Sequence, residues 1–88
     1  MIRITLTAEQ AHGLVEAAYR GRSGDFNWAL HKTESLCELG YDAVFVIDAG
    51  AELQMKRGAK TKSVCAIWAG KARRYLTEHG LMTKEEGQ

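Results

Sequence analysis

Several things are scarce in this 88-residue chain, and each scarcity narrows the reading. There are two cysteines, Cys37 and Cys65, with no CxxC spacing, so neither a disulfide framework nor a cysteine zinc site is expected. No stretch approaches the roughly 20 apolar residues of a membrane span, and the opening MIRITLT lacks the apolar segment of a signal peptide. The expectation is a soluble, cytoplasmic protein without a membrane partner. Formal net charge is +1, which rules out the whole-molecule field of a polyanion-coating protein. Internal repeats and low-complexity segments are absent as well.

What is present centres on Leu36 to Lys56. Gly40 can end a helix in the left-handed conformation, which sets Tyr41 against Leu36. Ala43 to Ile47 is short, β-branched and aromatic, as a buried strand would be. Asp48, Ala49 and Gly50 supply a reversal, and Glu52 to Lys56 alternates polar with apolar, so the stretch is expected as a β-hairpin. A helix from Asp42 to Lys56 is the rival, since Val44, Ile47, Ala51 and Met55 also share a helical face.

The flanks read as one strand and three helices. Ile2, Ile4 and Leu6 alternate with Arg3 and Thr5 in a strand. Thr7 and Gln10 form a capping box for a helix from Ala8 to about Arg20. GRSG, residues 21–24, is a turn. A second helix runs from Ser23 or Asp25 to Leu39, with Phe26, Ala29, Leu30, Thr33, Leu36 and Cys37 inward. Trp28 falls off that stripe, beside Lys32, Ser35 and Leu39. It is either tucked under a neighbour or presented to a partner. After a turn at RGAK, Thr61 or Ser63 would start a third helix to about His79, with Gly80 ending it and Leu81 against Leu76. On that helix Val64, Cys65, Trp68, Ala72, Tyr75, Leu76 and His79 form the core stripe, and Ile67 lies outside it. The expected fold is α+β, a three-stranded sheet in the order strand, helix, helix, strand, strand, helix, with helices mainly on one face. A single domain over 1–81 and a polar tail over 82–88 complete it.

Enzyme chemistry is not expected. Both cysteines sit on core stripes, and His12, His31 and His79 occupy three separate elements without metal-ligand spacing, so no catalytic residue, metal or cofactor is assigned. His31, Glu34 and Glu38 share a helix face, which ordinary solvation explains. Charge is segregated instead. Lys56, Arg57, Lys60, Lys62, Lys71, Arg73 and Arg74 lie in a stretch with no acid from Leu53 to Thr77, whereas Asp25, Glu34, Glu38, Asp42, Asp48 and Glu52 precede it with Lys32 alone among them.

Two contact faces follow as expectations. Trp28, Glu34, Glu38 and Asp48, with Ile67 as a further apolar anchor, would meet a larger protein or nucleoprotein. Lys60, Lys62, Lys71 and Arg74 would meet nucleic acid or an acidic partner. An edge at Ile2 to Leu6 or at Glu52 to Lys56 would allow a homodimer.

The segment ARRYLTEHGLM, from Ala72, resembles the end of a winged-helix recognition helix entering its wing. A short single domain opening with a strand and a capped helix is similar in style to small phage-borne inhibitors of bacterial defence complexes, which implies an anti-CRISPR-like occluding role. The alternative is a nucleic-acid-binding regulator using Lys56 to Arg74.

Overall fold

The computed structural model of the protein describes residues 2–48 and 50–83. Five strands and three helices follow one another: β1 (Ile2–Leu6), α1 (Ala8–Ala18), β2 (Tyr19–Arg20), α2 (Ser23–Glu38), β3 (Asp42–Ile47), β4 (Ala51–Arg57), β5 (Lys60–Ile67) and α3 (Ala69–Glu78). The strands form one antiparallel sheet in the order β1-β3-β4-β5-β2, curled into a half-barrel. The fold is therefore α+β, but the expectation of three strands is wrong by two.

Both missing strands have a physical reason. β2 is two residues long, too short for alternation to show, and it reads as the last turn of α1 until Tyr19 and Arg20 are seen paired with Ile67 and Ala66. β5 has the sequence pattern of the start of the third helix. Its register against β4 slips between Leu53 and Gln54, which face Cys65 and Ser63, so Val64 is an extra residue in a β-bulge. The bulge breaks the period of two and leaves the buried positions Val64 and Ile67 three apart, a helical spacing. A strand thus carries the pattern of a helix.

Local signals elsewhere act as their chemistry requires. The Thr7 hydroxyl accepts from Gln10 N at 3.2 Å and Gln10 Oε1 accepts from Thr7 N at 3.0 Å, closing the capping box. α2 and α3 both end in Schellman geometry. Gly40 at φ +89° and Gly80 at φ +69° let Tyr41 N reach Leu36 O at 3.0 Å and Leu81 N reach Leu76 O at 2.8 Å. The hairpin of β3 and β4 forms in place of the rival helix, with Ala43 opposite Met55 and Phe45 opposite Leu53.

Alternation gives the sheet two different faces. Ile4, Leu6, Ala43, Phe45, Leu53, Met55 and Ile67 point to the helices and join Leu14, Val15, Leu36 and Leu76 in one core. α1 lies between the other two helices, and Gly13 leaves room on it for the Tyr75 ring of α3, whose hydroxyl fills the place a Cβ would take. Arg3, Thr5, Val44, Val46, Glu52 and Gln54 point the other way. Met82, expected at the start of a polar tail, is buried in the core, and 84–88 lie outside the described residues. No wing follows α3 up to Thr83, and both hairpins precede it, so the winged-helix likeness does not extend to topology.

Candidate interaction surface

Each residue singled out from the sequence has a definite place. Trp28 is 55 % exposed and Leu39 is 61 % exposed, while most other large apolar side chains in the described residues are covered. Both belong to the same stripe of α2, at i and i+11, with Lys32 and Ser35 between them. Eleven residues at 1.5 Å each separate them by about 16 Å along the axis. The C-terminal end of this stripe is held from outside the helix. Arg57 Nη1, from β4, donates to Leu39 O at 2.8 Å, and its guanidinium lies 5.9 Å from the centre of the Tyr41 ring. A cation there also meets the negative end of the α2 dipole.

The expected acidic face is not continuous. Glu34 and Glu38 are exposed on α2, where Glu34 lines a groove of about 310 Å³ with Ala8, Glu9 and His12 of α1. Asp48 sits at the far end of β3, in a groove of about 390 Å³ on the helix-free face shared with Arg3, Arg20, Val46, Glu52, Gln54 and Ala66. These carboxylates belong to different elements and open in different places, so they do not make one ridge.

Ile67 requires a plain correction. It is 1 % exposed, paired with Tyr19 and packed in the core. Its assignment to the outside follows from helical angles applied to a segment that is a strand. The large apolar side chain at that junction which does face outward is Trp68, 48 % exposed, with the Arg20 guanidinium 4.5 Å from the ring centre. Sequence reasoning puts Trp68 on a core stripe. Only the change from strand to helix at Trp68 would signal otherwise.

The basic stretch is divided as well. Lys60 and Lys62 are exposed on β5 with Arg57 opposite Lys60, beside the end of α2. Lys71 and Arg74 are exposed on α3, in a groove of about 260 Å³ with Ala17, Tyr75 and Glu78. None of the β4–β5 turn lines that groove, so the four lysine and arginine side chains form two patches rather than a track.

Set against protein-family models, curated proteins and solved structures, the chain matches none of them. What it can do rests on its own groups. Burial pushes the Cys65 thiol up to about 11, with the Glu52 carboxylate adding to the rise, and burial followed by Asp42 raises Cys37. Both thiols stay protonated near neutrality, which makes them weak nucleophiles. His12 lies 3.3 Å from Glu16, and His79 Nδ1 lies 2.8 Å from Tyr75 O, both within single elements or their ends. Among the described residues no three His, Cys, Asp or Glu side chains are grouped to hold a metal, and no helix is long and apolar enough to cross a membrane.

Proposed function

We propose that this protein is a non-enzymatic interaction module that covers a surface of a larger protein or nucleoprotein, docking through the outer stripe of α2. The observation that carries this reading is the exposure of Trp28 and Leu39 on that stripe, in a chain whose other long apolar side chains are mostly enclosed. Tryptophan is the commonest kind of residue to dominate a binding interface, because one rigid side chain removes a large apolar area from water. Arg57 supports the reading by fixing the backbone at the end of α2, so that little main-chain freedom is lost there on docking. Glu38, about a quarter turn from the stripe, favours a partner with basic groups beside an apolar depression, while Glu34 lies further round, toward α1.

In its finer form the reading makes the protein an inhibitor of a bacterial nucleic-acid-handling or defence complex, of the phage-borne, anti-CRISPR-like kind. The partner's depression is then part of a groove that otherwise holds nucleic acid. The test is retention of native partners on the immobilised protein and on Trp28→Ala and Leu39→Ala variants. A partner retained by the wild type and lost by either variant is expected, with added nucleic acid displacing the wild type. Equal retention by all three proteins would sink the α2 surface.

A second reading, nucleic-acid binding, is favoured by the exposed group Lys56, Arg57, Lys60 and Lys62 around one hairpin end. Duplex affinity that falls steeply with salt would support it, and no shift in a low-salt gel titration would remove it.

A further inference from the structure

The two margins of the sheet are built differently. On one side the outward edge of β5 is covered by β2 only at Ala66 and Ile67. The rest of it carries Lys60, Lys62 and the bulge at Val64, all of which obstruct the approach of another strand. On the other side β1 pairs with β3 along its whole length, from Ile2 opposite Ile47 to Leu6 opposite Ala43, and no described strand lies beyond it. β1 has no bulge, proline or glycine, and its one charge, Arg3, points to the helix-free face. Ile2 and Ile4 pack on the core yet are only partly buried at this margin.

We propose that two copies of this chain associate through β1, antiparallel about a two-fold axis at Ile4, to make one ten-stranded sheet. The sequence of the strand is self-complementary in that register. Ile2 meets Leu6 of the second copy, Ile4 meets Ile4, and Arg3 meets Thr5, so all five residues pair and the apolar side chains share one face. Shifting by one residue sets isoleucine against arginine or threonine across the pleat. Shifting by two pairs only three residues, and in one direction it opposes Arg3 to Arg3. A second copy also fits better than a head-to-tail series. The obstructed β5 edge cannot receive β1, so growth stops at two, and both outer margins of the dimer are obstructed ones.

Thr5 tests the register without touching the core, since it is exposed on the helix-free face. In Thr5→Glu a carboxylate faces Arg3 of the other copy twice per dimer, and in Thr5→Lys an ammonium does. Sedimentation equilibrium of the full chain is expected to show twice the chain mass at high micromolar concentration. The dimer constants of the two variants should differ about tenfold or more, with Thr5→Glu the tighter. Arg3→Glu added to Thr5→Lys should restore association. Unchanged far-ultraviolet circular dichroism certifies the fold of each variant. A one-chain mass at every concentration overturns the proposal, as does a dimer whose constant is the same for Thr5→Glu and Thr5→Lys.

Discussion

Neighbouring residues of β3 live on opposite faces of the sheet, and the two faces exclude water by different means. Phe45 points into the core and is enclosed by side chains from the helices. Val46 and Val44 point the other way, where none of the described helices lies, and yet both are buried. Their cover comes from the neighbouring strands: Arg3 and Thr5 on one side, Glu52 and Gln54 on the other. Those polar chains are tied together. Glu52 accepts from Ser63 Oγ at 3.0 Å and from Gln54 Nε2, so that one carboxylate braces β4 against β5 above the valines. A sheet face without a second layer can thus hide apolar side chains beneath a mesh of long polar ones, at the price of leaving that mesh exposed to whatever approaches.

The sharpest way to test this difference is to empty each face in turn. Phe45→Ala opens a void sealed by helices and should destabilise by about 3–5 kcal/mol. Val46→Ala removes two carbons from a site that solvent can refill, and about 1.6 kcal/mol is expected from the area alone. Chemical denaturation of both variants gives the values. A loss at Val46 well above that figure would mean that the helix-free face is packed as tightly as the core.

Cutting the mesh should matter less. Glu52→Ala takes the acceptor from Ser63 and Gln54 and is expected to destabilise by about 1 kcal/mol. It should also lower the Cys65 pKa toward the ordinary thiol value, because the carboxylate adds to the rise that burial causes. Thiol reactivity measured against pH reads that shift directly, and an unmoved profile would show that Glu52 does not act on the thiol.

The last effect is confined to alkaline solution and is absent near neutrality. Folding raises the Cys65 thiol from its ordinary value of 9.0 to about 11, so the native state keeps its proton when the unfolded chain has lost it. The stabilisation is complete below about pH 9 and is lost as pH rises through about 11. Raised values at Cys37, Tyr19 and Tyr75 act with the same sign. Unfolding free energy should therefore fall across this range, and less steeply in Cys65→Ala. A slope unaffected by that substitution would remove Cys65 from the account.

How much of this is legible in the residues depends on range. Thr7 with Gln10, Gly40 with Tyr41, and Gly80 with Leu81 are exchanges within a few residues of backbone, and the local sequence locates them. The β3–β4 hairpin is legible because a turn joins two strands of opposite patterning. β5 is not, because an inserted residue alters its period, and every inference built on that period fails with it. Trp28 and Ile67 show the contrast. The same angular reasoning puts both outside a core stripe; it applies to Trp28, which is on a helix, and not to Ile67, which is on a strand. The acidic ridge fails for another reason. Nearness in sequence carries no information on which elements Glu34 and Asp48 face.

One consequence concerns the spectroscopist. Neither indole of this protein is shut inside, Trp28 standing on α2 and Trp68 lying under the Arg20 guanidinium. Intrinsic emission should accordingly change little when the core melts, since both fluorophores already see solvent. The same signal should move to the blue when something settles on α2, which makes this small protein its own label for titrations.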